Sequence, residues 1–289
     1  MLFWSLRTES SQQTSYDQVR ALQQTIVELR AQDLVEDLTL FLEHEPVVTR
    51  GRGLQQKMQT AFSEKPGSEK SGTEESGLSL RHMPLAGLPA GVDFAESERG
   101  GDLTYHGPGQ LVIYPIFKMD GKGFAPLHDV AGYLRKLEFV VMTELDRRLS
   151  SPQAKLKGAR TESVPDAAGV WIRSAGETKA SKKIASMGIA VRKWVSYHGI
   201  AINCVNDLDA FKLFSPCGFP SEAMTRLQDW VELPKAWRPD LESSLAHQLS
   251  IASMDGEAVQ IESLTLNEAK ARTDKIEADA RHIAGSDLI

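Results

Sequence analysis

The sequence predicts an α+β domain in which helices pack beside a mixed, largely antiparallel sheet. Three observations carry that prediction. Short runs rich in branched and aromatic residues recur at Gly169 to Arg173, Lys183 to Val191 and Tyr197 to Val205, as strands require. The segments beginning at Ser15 and His128 instead repeat apolar residues at helical spacing. Residues 174–182, between the first two strand runs, make a loop too long for a tight hairpin.

A chain of 289 residues is long enough for one large domain or two smaller ones. Hydrophobic residues at 41% and charged residues at 25% suit a soluble globular protein with a substantial core. The net charge of -6 argues against a broad basic surface for nucleic acid. Lys179, Lys182, Lys183, Arg192 and Lys193 form a basic cluster that an acidic partner could use, although a solvated face is the commoner meaning of such a cluster. Two cysteines, Cys204 and Cys217, support neither a disulfide scaffold nor a metal-ligand series. With no secretory signal and no apolar stretch of bilayer length, the expected compartment is the cytoplasm, where a thiol stays reduced.

Taken in order, Met1 to Leu6 reads as a short apolar strand. Tyr16, Val19, Leu22, Ile26 and Leu29 mark one helix face, with the Ser15 hydroxyl placed to cap it. Residues 33–42 read as a continuation of that helix or as a second one. Glu43 to Gly53 reads as a turn, a short strand and a glycine-bearing turn, with His44 and Arg50 as candidate ligand contacts beside ordinary surface roles. Ser63 to Ser79 is dominated by Ser, Gly, Glu and Lys, which bury too little apolar area to offset the ordering of a chain. Residues 55–80 are therefore expected to form a mobile insertion. Arg99 to Gln110 is a glycine-rich polar loop feeding a strand at Leu111; its Arg99, His106 and Gln110 can meet a ligand, and a purely structural loop would look much the same. His128 to Leu149 is the strongest helix, with Val130, Leu134, Leu137, Val141 and Leu145 along one side. Ser151 to Pro165 is polar and expected to be exposed. Leu208 to Phe214 leads into the turn Ser215-Pro216-Cys217-Gly218-Phe219-Pro220, and Met224 to Trp230 reads as helical.

Cys217 is the leading candidate nucleophile, because proline and glycine hold it on a turn where a thiolate can attack an activated carbonyl. Lys183 is the candidate partner: an ammonium stabilises the thiolate, and a partly buried lysine can exchange a proton with an attacking amine. Burial for packing alone is the commoner fate of a lone cysteine, and a solvated role the commoner fate of a lysine. His106 and His198 each lie beside glycine and can relay a proton or bind a carbonyl, or simply be satisfied structural histidines. Cys204 lies in a strand-like run and reads as packing.

Taken together, Arg99-Gly100-Gly101, Thr104-Tyr105-His106-Gly107-Pro108-Gly109-Gln110, Lys183-Ile184-Ala185-Ser186-Met187-Gly188, His198-Gly199-Ile200-Ala201-Ile202-Asn203 and Pro216-Cys217-Gly218 resemble the ordered signatures of the octanoyltransferase family. The resemblance runs from Met1 to about Trp230 and implies a catalytic domain like that of biotin and lipoate ligases. It implies Cys217 and Lys183 as catalytic residues. As substrate-binding residues it implies Arg99, Gly100, Gly101, Tyr105, His106, Gly107, Gly188, His198, Gly199 and Ala201. The implied reaction moves an octanoyl group from octanoyl-acyl carrier protein to a lysine of lipoyl domains, such as those of 2-oxoacid dehydrogenase complexes and the glycine cleavage carrier protein. The phosphopantetheine arm belongs to the donor, and no ATP, metal or retained cofactor is implied. Residues 1–240 are then expected to be the catalytic domain and residues 241–289 an accessory C-terminal extension. Glu45 before Pro46 and the insertions depart from the family pattern. An ATP-dependent ligase and a noncatalytic lipoyl-domain binder remain the alternative readings.

Overall fold

The computed structural model describes residues 1–53, 88–165, 167–176, 181–213, 221–253 and 259–286. The expected insertion at 55–80 and the Cys217 turn lie outside them.

Within the described residues a large sheet runs in the order β12-β1-β3-β7-β11-β10-β9-β8, with β2 paired to β3. Its strands are β1 (Leu2–Arg7), β2 (Gln13–Thr14), β3 (Leu38–His44), β7 (Gln110–Ile116), β8 (Arg160–Glu162), β9 (Gly169–Arg173), β10 (Lys182–Arg192), β11 (Val195–Asn203) and β12 (Ile261–Thr265). Pairing is antiparallel from β3 through β8 and parallel where β1 meets β3 and β12. A small sheet is built from β4 (Val47–Arg50), β5 (Asp93–Glu96) and β6 (Leu103–His106), in the order β5-β4-β6. This is the expected α+β architecture.

The period-2 alternation of strand side chains divides the core between the two faces of the large sheet. Phe3, Phe41 and Ile113 face α2 (Val130–Leu149) and α3 (Trp237–Ser253). Their chain neighbours Trp4, Leu40 and Val112 face α1 (Tyr16–Ala31) and α4 (Leu266–Ser286). α2 delivers Leu137, Val141 and Leu145 to the first face, as its spacing predicts, whereas Val130 at its start is exposed. The Asp129 carboxylate caps α2 by accepting from the Gly132 N–H at 2.7 Å.

Three expectations are corrected here. Ser15 stands at the N-cap of α1 but makes no side-chain capping bond. Residues 38–42 are not helix: Leu38, Thr39, Leu40, Phe41 and Leu42 form β3, buried on both faces between β1 and β7. A short apolar run suits a doubly covered strand as well as a helix, so periodicity could not separate them. The boundary expected at residue 240 falls inside α3, whose Leu241, Leu245 and Leu249 belong to the main core. Beyond it, β12 adds the outer strand beside β1, and Leu266 and Ala269 of α4 pack with Trp4 and Leu22.

Candidate active site

One cavity opens where the small sheet meets the large one. Its lining comes from Tyr16 of α1, Arg99 and Gly101 of the glycine-rich loop, and Thr104 and His106 of β6. Tyr114 of β7, Ser186, Met187 and Gly188 of β10, and His198, Gly199, Ile200 and Ala201 of β11 complete it. Of the residues singled out in the sequence, Arg99, Gly101, His106, Gly188, His198, Gly199 and Ala201 therefore share one wall. Gly100, Tyr105, Gly107 and Lys183 are not part of that lining.

Local geometry accounts for the division. Along β6, Thr104 and His106 face the cavity, while Tyr105 points to the other side and packs edge-on against Phe211 at 5.8 Å. Gly107 closes against the Tyr105 ring, since a Cβ there would lie 2.1 Å from the Tyr105 hydroxyl. The Gly109 N–H donates to Glu43 Oε2 at 2.6 Å, and the Gly109 carbonyl accepts from the Val205 and Asn206 N–H groups at 2.9 and 3.2 Å. The loop is thus clamped from both sides, at a φ of +84 that favours glycine. Gly100 donates its N–H to the Ile189 carbonyl at 2.9 Å, and a Cβ on Gly188 would meet the Gly100 oxygen at 2.8 Å. The loop and β10 therefore touch backbone to backbone.

Arg99 is buried, and its guanidinium works inside the protein. It donates to the Thr49 carbonyl and hydroxyl at 2.8 and 2.9 Å, and to the Gly100 and Asp102 carbonyls at 3.0 and 2.9 Å. Arg99 thereby staples the loop to β4 and holds the cavity's shape.

Two buried histidines, His106 and His198, line the cavity, and a third, His44, packs behind them. The ring of His44 lies 5.6 Å from that of His106 and 5.3 Å from Tyr16, while the rings of Tyr114 and His198 are 6.1 Å apart. His44 Nδ1 donates to the Thr14 carbonyl at 3.1 Å, so Nε2 accepts from the Tyr114 hydroxyl at 2.8 Å. Burial brings the His44 pKa down to about 4 and depresses His106 and His198 as well. His198 donates from Nε2 to Glu98 Oε2 at 3.3 Å, and Glu98 also bonds Arg20. The hydrogen bond from His198, followed by that from Arg20, holds the Glu98 carboxyl well below the usual carboxylate range. The cavity is therefore walled by neutral imidazoles near pH 7, with the negative charge of Glu98 already compensated.

Sequence reasoning missed Tyr16, Thr104, Tyr114, Ser186, Met187 and Ile200 as lining residues. Tyr16 carried only a helical-core signal, and Glu98, which orients His198, lay just outside the glycine-rich motif. Cys204 is buried and bonded to its own strand through the Ile202 carbonyl, and burial pushes its thiol up to about 12. It packs, as expected. The basic cluster is dispersed: Lys182 and Arg192 stand at opposite ends of β10, roughly 33 Å apart at the usual rise per residue. Lys183 is buried, Arg192 and Lys193 pair with Glu28, and Lys179 lies outside the described residues.

Lys183 is 2% exposed, with Nζ 5.4 Å from the centroid of the Trp171 ring on β9. A register shift between Lys183 and Ala185 bulges β10 at this point, where a bulge re-aims a side chain. Gly169 makes the room, because a Cβ there would lie 2.8 Å from Lys183 Cε. The Lys183 carbonyl accepts from the Thr225 N–H at 2.9 Å, and Met224 bridges to Lys183 in parallel sense. Among the described residues, no group of three or more His, Cys, Asp or Glu is placed to hold a metal ion.

This arrangement of sheets and helices is the fold of lipoate protein ligases. Lipoate-protein ligase A solved bound with ATP aligns at a TM-score of 0.54 with 17% identity, covering 95% of each chain. The bipartite lipoate protein ligase from Thermoplasma acidophilum aligns at 0.52 with 14% identity, covering 95% of this chain and 93% of that one. The chain belongs to the lipoyl protein ligase A/B catalytic domain family, matched over residues 15–245, and within it to the octanoyltransferase enzymes. It is 36% identical over 213 residues to the octanoyltransferase of Koribacter versatilis, covering 74% of this chain and 70% of that protein. It is 34% identical over 212 residues to that of Syntrophobacter fumaroxidans, covering 73% and 75%.

Proposed function

We propose that this enzyme transfers an octanoyl group from octanoyl-acyl carrier protein to the lysine of a lipoyl domain, through an acyl thioester on Cys217. In the first step the Cys217 thiolate attacks the donor thioester carbonyl, the bond to the phosphopantetheine sulfur breaks, and the released thiolate takes up a proton. In the second, the neutral amine of the lipoyl-domain lysine attacks the Cys217 thioester. The amide bond forms, the sulfur leaves, and the amine's proton passes to Lys183 or solvent. The incoming thioester is already activated, so neither ATP nor a metal is called for. The setting is the cytoplasm.

The observation that carries this reading is the placement of Lys183. It is buried on β10, pairs with Met224 and accepts at its carbonyl from the Thr225 N–H, in the segment that follows Cys217 in sequence. Membership of the octanoyltransferase family supports it independently.

The test mixes octanoyl-acyl carrier protein with the enzyme in nucleotide-free buffer and reads intact mass, then adds a lipoyl domain. The expected result is an octanoyl adduct on the enzyme that moves to the domain. Cys217→Ala should abolish the adduct, and Lys183→Ala should slow transfer by about 10²-fold or more while the variant remains folded. Transfer that appears only with ATP, or an unchanged adduct on Cys217→Ala, would sink the reading.

A further inference from the structure

A buried relay of side-chain amides runs beneath the cavity. His106 Nδ1 lies 2.8 Å from Gln110 Oε1. The Gln110 amide is oriented by its other end, where Nε2 donates to the Tyr105 carbonyl at 3.1 Å and to Asn203 Oδ1 at 2.9 Å. Asn203 is oriented in turn, because its Oδ1 also accepts from Asn206 Nδ2 at 3.2 Å and its Nδ2 donates to the Thr225 carbonyl at 3.1 Å. Thr225 closes the line by donating its N–H to the Lys183 carbonyl at 2.9 Å. Gln110, Asn203 and Thr225 are all buried, so no member can trade its partner for bulk water at little cost.

The direction of this relay has a chemical consequence at His106. Gln110 can offer only its oxygen there, so the imidazole must carry its proton on Nδ1. Its second nitrogen, Nε2, is then the acceptor of a ring that lines the cavity. We propose that Gln110 and Asn203 are positioning residues, which fix His106 in the Nδ1–H form so that Nε2 accepts a hydrogen bond from an N–H donor of the bound substrate. Under the function proposed above, on which this assignment rests, that donor is the incoming lysine amine. The same relay ties the orientation of His106 to the main chain of Lys183. The titratable and charged groups around the ring, Tyr16, His44, Arg99 and His198, supply no anion, and burial keeps the ring neutral.

The test uses the full chain with 15N-labelled histidine and reads the tautomer of His106 from long-range 1H–15N correlations, assigned by its loss in His106→Asn. Wild type should show Nδ1–H. In Gln110→Leu the Nε2–H form should become populated, and kcat should fall about tenfold or more with KM for the lipoyl domain nearly unchanged. Gln110→Glu, which sets a carboxylate beside Nδ1 and gives up the amide donor to Tyr105 and Asn203, should instead favour the doubly protonated ring. Asn203→Ala should loosen the Nδ1–H form in the same sense as Gln110→Leu if the Gln110 variants fold poorly. A wild-type ring in the Nε2–H form, or an Nδ1–H form that persists in Gln110→Leu and Asn203→Ala, would overturn the assignment. The tautomer is measurable even if no octanoyl transfer is found, so failure of the relay and failure of the proposed reaction are told apart.

Discussion

At the scale of single residues, the neutral histidines around the cavity link the site to the stability of the fold. Unfolded, the His44 imidazole titrates near 6.5; folded, burial holds it at about 4, so on acidification the unfolded chain takes up the proton first. Its contribution is complete above pH 6.5 and is lost as pH falls towards 4, a difference of roughly 3 kcal/mol. His106 and His198 act in the same sense. Denaturant midpoints measured from pH 7.5 down to 4.5 should therefore decline, and less steeply in His44→Phe; a flat profile would remove the argument. Gly188 offers a second check. Its Cβ position meets the Gly100 oxygen at 2.8 Å, with Arg99 Cδ beyond at 3.4 Å, so Gly188→Ala must push the glycine-rich loop off β10. Overpacking of this kind costs about 1–3 kcal/mol. The variant should fold, melt lower and lose at least tenfold in transfer rate, and full activity would show that the loop yields freely.

At the scale of elements, α3 reaches into the site through a buried ion network. Arg238 bonds Glu242 within the helix at 2.7 Å, Glu43 at the end of β3 at 3.3 Å, and the Leu6 carbonyl at 2.9 Å, while Glu43 holds the Gly109 N–H. Removing the arginine strands two carboxylates that are 8% and 4% exposed, at a cost of about 3–5 kcal/mol. Arg238→Ala should accordingly lower the denaturation midpoint and speed hydrogen exchange at the Gly109 amide; an unaltered Gly109 rate would disconnect helix from loop. The reach of this network was not legible in the sequence, because Glu43 and Leu6, which Arg238 bonds outside its own helix, sit on β3 and β1, far away in the chain, and no motif marks them. The strands β9, β10 and β11 were legible from their branched and aromatic composition, and the helices α1 and α2 from apolar residues at helical spacing within a single run. β3 was not, because it is buried on both faces and its leucine-rich run, Leu38 to Leu42, suits a helix as readily as a strand. The cavity wall was half legible: the glycine motifs marked His106, Gly188 and His198, whereas Tyr16 and Tyr114 reach it by topology alone.

At the scale of the whole molecule, the region after residue 240 completes the body rather than decorating it. A chain ending at residue 240 would lose Leu241, Leu245 and Leu249 from the main core, and each fully buried leucine is worth about 1.5–3 kcal/mol. That sum is comparable with the entire net stability of a typical domain. The truncated chain should therefore fail to give a cooperative melt, as judged by circular dichroism, and a sharp transition would return this region to the status of an appendage. The parallel pairing of Phe3 with Ile261 carries the point into protein synthesis. β1 is sealed on one side only once β12, far later in the sequence, has left the ribosome, and until then it presents an open row of amides and carbonyls. A nascent chain stalled short of that seal would be a template for joining its neighbours, so chaperones would be needed most while β12 is still to emerge.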